Sequence, residues 1–131
     1  LAVFAGSFPL NLEDPGVLIV YSIANAGVNP SDLEAGIDAE FEKVQNELIS
    51  EKEFQKLQNQ IEAGFISNFS SVSGIAENLA VYETHYGDAN LINTEIERYM
   101  KVTREDIQRV AKKYFTEDNR VVLYYLAKQT P

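Results

Sequence analysis

His85 is the single histidine of the chain, and there is no cysteine. Those two counts bound any metal chemistry. A zinc hydrolase holds its ion with three converging protein ligands, commonly two histidines one helical turn apart and an acid. Glu83 lies two residues from His85, and on a helix that spacing sends the two side chains in different directions. His85 is therefore read as capping or packing near Gly87. Ser73-Gly74, at a break between helical patterns, is read as a kink, because no G-x-S-x-G nucleophile elbow accompanies it. Gly6, Gly16, Gly27, Gly36, Gly64, Gly74 and Gly87 never take the spacing of a phosphate-binding loop. The chain has 20 acids, yet no pair stands in an apolar setting that would separate their pKa values for general acid–base work. By themselves the residues disclose no chemistry. No catalytic, cofactor-binding or metal-binding residue is assigned.

The elements that would position a site are clearer. Thr103 with Asp106 three residues on is close to a capping box. Ile107, Val110, Ala111, Tyr114 and Phe115 then recur as one apolar helical face. Thr116 to Asn119 is polar and turn-prone. Val121 to Leu126 comes next as a continuous apolar, β-branched and aromatic run, the pattern of a buried strand. A helix covering a sheet that contains this strand is the expectation. Within it Tyr124 and Tyr125 alternate, so one of them faces away from the helix layer, toward a second packing surface or a cavity wall.

Earlier in the chain, Leu1 to Phe8 and Val17 to Ala24 are strand-like runs, with the turn Asp14-Pro15-Gly16 between them, which makes an antiparallel pair. Asn29-Pro30 opens a helix striped by Leu33, Ile37, Phe41, Val44 and Leu48. Ser50 with Glu53 is a full capping box and opens a second, carrying Phe54, Leu57, Ile61, Phe65 and Phe69. Ser70 to Gly74 predicts a bend. Ile75, Leu79, Tyr82 and Tyr86 mark a third helix, with Gly87 at its left-handed end and Asp88 capping a fourth that runs to about Lys101. The order gives one α+β domain over residues 1–131: an antiparallel sheet covered on one face by a run of helices. Three strands are few for so many helices, so the sheet is expected to be incomplete, with further chain completing it.

Composition sets the outer limits. The chain has 131 residues, 45% of them hydrophobic and 24% charged, suited to one domain with a core. A formal net charge of −9 argues against a nucleic-acid partner, whose phosphates need clustered Lys and Arg. The acids crowded between Asp32 and Glu53 read as a solvated helix face. No apolar run is long enough for a membrane span. Because Leu1 is not a Met, the natural N-terminus is expected upstream. The lack of cysteine suits a reducing cytosol and a periplasm alike, and leaves the compartment open.

Three ordered phrases carry a resemblance: VSGIAENLA, YGDANLIN and VTREDIQRVAKKYFTEDNRVVLYYL. With the preceding LEDPGVLIVYSIANAGVNPSDLEAGIDAEFEKV, residues from about Leu12 to Leu126 resemble the closing part of a pitrilysin-type zinc peptidase module. These are the inverzincins, which include insulin-degrading enzyme and mitochondrial processing peptidase. The resemblance implies two similar α+β subdomains per module, with modules or subunits pairing like a clam shell around a substrate chamber. It implies zinc in the parent enzyme, held by an H-x-x-E-H motif and a later Glu that have no match here. In the family's non-zinc half, an Arg and a Tyr just before the first strand contact substrate. That segment would end near Leu1, so the pair lies upstream or is lacking. The implied function is that of a C-terminal, non-zinc-binding piece of a zinc metalloendopeptidase, forming chamber wall. The implied partners are the zinc-binding part of the same protein, or a partner subunit, and a peptide substrate. The alternative is a zinc-free structural or partner-binding homologue.

Overall fold

The computed structural model describes residues 1–12 and 15–126. In chain order the elements are β1 (Ala2–Leu10), β2 (Val17–Ala24), α1 (Pro30–Asn46), α2 (Glu51–Asn68), α3 (Val72–Tyr86), α4 (Glu95–Met100) and α5 (Arg104–Tyr114). Two 3-10 turns, Ala89–Asn93 and Glu117–Asn119, complete them. This is an α+β chain with an incomplete, two-stranded antiparallel sheet. It divides into two compact units, Leu1–Asn46 with Arg109–Pro131, and Glu47–Gln108.

In the first unit β1 and β2 pair antiparallel, with Phe4 opposite Ile23, Gly6 opposite Tyr21 and Phe8 opposite Ile19. The register shifts once, between Ala2 and Phe4. The Asp14 position of the expected turn lies outside the described residues. On β2 the alternate residues Val20, Ser22 and Ala24 are half-buried while Tyr21 and Ile23 are exposed, as the two-residue period of a strand requires. α1 packs against β2, and Leu33 is buried at 8% exposure. The end of α5 completes this unit. Gln45 Nε2 donates to the Phe115 carbonyl oxygen at 2.6 Å, and the Phe41 and Phe115 rings stack.

Two expectations change here. Val121 to Leu126 forms no strand, and it lies exposed, Val121 at 97% and Tyr125 at 98%. β1 and β2 pair with each other, and no ladder reaches the last apolar run among the described residues. A run of interior-strand composition therefore stands without the neighbours that such composition serves. The inward face of α5 is also narrower than the expected stripe, keeping its Ile107, Ala111 and Phe115 edge. Ala111 is its buried residue at 2% exposure, whereas Val110 and Tyr114 are exposed. Small Ala111 allows the close approach marked by Gln45 and Phe115.

The second unit holds α2, α3, α4 and the start of α5. Ser50 caps α2 with the full capping box: its hydroxyl accepts from the Glu53 N–H, and the Glu53 carboxylate accepts from the Ser50 N–H. The expected bend is present, since α2 ends at Asn68 and α3 begins at Val72 under Ser71 as N-cap. Gly74 is what that break demands. A Cβ there would lie 2.1 Å from the Asn68 carbonyl oxygen. α3 ends at Gly87 with φ of 69° in the left-handed region that glycine enters without strain. The Arg104 guanidinium donates to the Ile49 carbonyl oxygen at 3.1 Å and meets Glu51 at 3.4 Å, tying the start of α5 to the start of α2.

The fourth helix differs from expectation. Asp88 does cap, accepting from the Asn90 N–H at 2.9 Å, but it opens a 3-10 turn that breaks at Thr94, ahead of the six-residue α4. Asn90, Asn93 and Thr94 favour such local bonding over a helical ladder, and Asn93 Nδ2 indeed donates to Asn90 Oδ1 at 3.0 Å.

Candidate binding site

The residues weighed for chemistry are spent on structure. His85 lies in the last turn of α3 with its ring edge-on to Tyr86, centroids 6.4 Å apart. Glu83 points elsewhere: its carboxylate accepts from the Ala89 N–H at 3.1 Å and steadies the chain leaving Gly87. Ser73 Oγ lies 3.3 Å from Ser71 Oγ at the start of α3. Among the described residues no group of three His, Cys, Asp or Glu side chains is placed to hold a metal ion. The described residues thus do not offer the donor set of a zinc centre.

In the first unit the two tyrosines of the last apolar run separate. Tyr125 is fully exposed, and Tyr124 donates its hydroxyl to Glu34 on α1. Arg120 meets Glu34 at 3.3 Å and also pairs with Asp38. These four side chains fasten the segment after α5 to α1. The hydrogen bond to Glu34 raises the Tyr124 phenol above its ordinary value, desolvation adds to that, and Arg120 opposes it. Arg120 is held charged by Asp38 above all, with the charge of Glu34 assisting. This is an anchoring cluster, and its groups satisfy one another.

The exposed face of the sheet is more suggestive of binding. Phe4, Phe8 and Tyr21 lie together there, with Tyr21 5.6 Å from Phe4 and 6.1 Å from Phe8 between ring centroids. Gly6 opposite Tyr21 makes the room, since a Cβ at Gly6 would lie 3.2 Å from both the Phe4 ring and the Tyr21 hydroxyl oxygen. All three aromatic side chains are exposed. An aromatic platform of this kind offers apolar contact to an extended chain or a packing partner.

In the second unit, a cavity of about 440 Å³ is lined by Tyr82, Tyr86, Leu91, Glu95, Arg98, Tyr99 and Val102. That volume lies in the range of small-ligand sites. Its floor is Tyr82, at 8% exposure the most buried aromatic residue of the unit. Tyr82 and Tyr86 come one turn apart on α3, rings 6.2 Å between centroids. The left-handed Gly87 turns the chain, and the 3-10 segment carries Leu91 across. α4 then supplies Glu95, Arg98 and Tyr99. Sequence reasoning placed Tyr82, Tyr86, Leu91 and Tyr99 on apolar stripes but saw no hollow. The hollow exists because Ala89–Asn93 is a 3-10 turn and not the first turns of a long helix. The recoverable signal was the Asn90, Asn93, Thr94 cluster. Glu95 and Arg98 carried no sequence signal at all.

The comparisons with known proteins fit this architecture. No family model matches the chain. Over 124 residues, 95% of this chain and 28% of the other, it is 28% identical to a protein named zinc protease PqqE from Helicobacter pylori. A solved structure of a protease from Helicobacter pylori is similar with a TM-score of 0.82 and 28% identity, over 91% of this chain and 29% of that one. The chain thus spans less than a third of the length of either relative. Both findings agree with the resemblance carried by the ordered phrases in that the chain is similar to a zinc protease and to a solved protease.

Proposed function

We propose that this chain is the non-zinc-binding, C-terminal piece of a pitrilysin-family zinc metalloendopeptidase, an inverzincin, and that it forms substrate-chamber wall in the proteolysis of peptides. The supporting observation is the Phe4, Phe8 and Tyr21 platform on the open face of the sheet. It is joined by the similarity to a zinc protease over almost the whole chain. Zinc would be bound by residues outside this chain, and the metal would supply a polarised water for peptide hydrolysis. The part played by this chain is holding the substrate beside that centre, and correct positioning supplies a large share of rate. Its partners are the zinc-binding part of the same protein, or a partner subunit, and a peptide substrate. The exposed apolar run Val121 to Leu126 is a surface such a partner would cover.

The test measures zinc content and peptidase rate together, for the parent protein, for the parent lacking this region and for this chain alone. The truncated, soluble parent is expected to retain zinc and hydrolyse peptides far more slowly, and this chain alone to hydrolyse none. Undiminished hydrolysis by the truncated parent would remove the chamber role. A parent that binds no zinc would make the chain part of a structural, partner-binding homologue.

A further inference from the structure

The cavity between α3 and α4 has a chemistry of its own that a packing defect would not need. Glu95 and Arg98 stand at i and i+3 on α4, the spacing at which opposite charges commonly pair on a helix. Here no ion pair joins them, and among the described residues neither has a side-chain hydrogen bond or ion-pair partner. Both instead line the cavity. The hydroxyls of Tyr82, Tyr86 and Tyr99 have no hydrogen-bond partner among the described residues either, and their rings with Leu91 and Val102 form apolar walls. One open hollow, with Arg98, Tyr86 and Tyr99 all exposed, thus presents an unpaired guanidinium, an unpaired carboxylate, several phenol donors and an aromatic lining. That set is complementary to a ligand with an apolar or aromatic body, a carboxylate and an adjacent N–H.

We propose that this cavity binds the C-terminal residue of a peptide whose last side chain is aromatic or large and apolar. The terminal carboxylate accepts from the Arg98 guanidinium, whose planar fork matches carboxylate geometry. The backbone N–H of the same residue donates to the Glu95 carboxylate. The side chain enters between Tyr82, Tyr86 and Tyr99, where ring contacts favour an aromatic guest. The cavity volume of about 440 Å³ accommodates such a residue with part of its neighbour. An amidated peptide differs from this ligand by its missing carboxylate. The inference does not depend on the chamber reading, because it concerns binding by this chain itself.

The experiment is titration of the 131-residue chain with N-acetyl-alanyl-phenylalanine and its C-terminal amide, monitored by calorimetry and by nuclear magnetic resonance of the tyrosine rings. The free acid is expected to bind in the millimolar range or tighter and to shift Tyr82, Tyr86 or Tyr99 signals. The amide should bind about tenfold more weakly, the difference made by one charge-assisted contact. Arg98→Gln, which leaves the Tyr82 floor intact, should erase the difference between acid and amide. Glu95→Gln should keep that difference. Circular dichroism melts confirm that both variants are folded, and Arg98→Lys offers a second, charge-preserving variant that should restore part of the preference. Equal binding of acid and amide would overturn the proposal. So would an acid preference unchanged in Arg98→Gln, or no binding of the dipeptide at millimolar concentration.

Discussion

The rings of Phe41 and Phe115 stack with centroids 4.5 Å apart and planes inclined by 29°, joining the middle of α1 to the residue just past α5. Beside them Gln45 donates to the carbonyl oxygens of Ala111 and Phe115. The helix end is thus capped by a side chain and clamped by a ring pair. Truncating Phe115 to Ala removes the ring pair and opens a partly exposed cavity, an effect of roughly 1–3 kcal/mol given its half-buried setting. Val110→Ala, on the exposed side, should cost less than about 1 kcal/mol. Denaturant melts of both variants check this, and equal losses would mean that α5 presents a different face.

Ala111 permits the same contact from the other side. At 2% exposure it has no room to grow, so Ala111→Leu should destabilise by about 1–3 kcal/mol or more through overpacking. Lys112→Leu, one residue on and exposed, serves as the control for helix propensity. If Ala111→Leu melts like the parent chain, the approach of α1 to α5 is looser than the structure has it.

Gly74 sits in the first turn of α3, just past the break after α2. Because a Cβ would meet the Asn68 carbonyl oxygen at 2.1 Å, a rigid backbone atom, Gly74→Ala cannot be absorbed by a side-chain rotation. The expected cost is on the order of 1–3 kcal/mol, against the gain of about 1 kcal/mol that Gly→Ala gives at an unhindered helical position. Gly64→Ala, inside α2 with open space around its Cα, is the natural comparison and should be neutral or stabilising. A stabilising Gly74→Ala would show that the break between α2 and α3 can relax.

These outcomes bear on how much was legible beforehand. Ser50 with Glu53, Gly87 and the bend near Ser70 were readable because caps and turns are decided by neighbours in sequence. The face of α5 was drawn too wide because Val110 and Tyr114 look apolar in any setting, whereas burial is decided by what lies opposite, and Gln45 reaches the backbone at Ala111. Val121 to Leu126 reads as an interior strand because its composition suits one. Whether it joins a ladder depends on a strand partner, and no local pattern supplies that. The cavity was invisible for a related reason: Glu95 and Arg98 have ordinary surface spacing, and a single 3-10 turn turned their helix face toward α3. The aromatic platform was not legible: the two strand-like runs were, but the register that sets Phe4 and Phe8 beside Tyr21 depends on how they pair.

The Tyr124 hydroxyl bond to Glu34 yields a prediction with a definite sign. The neutral phenol donates to the carboxylate, while a phenolate there would face the Glu34 and Asp38 charges with Arg120 as the one opposing cation named in the cluster. The folded state therefore favours the protonated form, and the Tyr124 pKa is raised above the unfolded value of about 10. A group raised on folding contributes stability that is fully present below its unfolded pKa and is lost as pH rises through its folded pKa. The contribution of this bond should thus hold steady at neutral pH and fade on the alkaline side, above about pH 10. Absorbance titration of the tyrosinates, taken as the difference between the chain and Tyr124→Phe, isolates this one phenol among the 7 tyrosines. It should titrate above an ordinary phenol, and Glu34→Gln should bring it back down by removing the charge. Asp38→Asn should have a smaller effect in the same direction. A Tyr124 that titrates at or below the ordinary phenol value, or one indifferent to Glu34→Gln, would mean that the segment after α5 is not fastened to α1 through this pair.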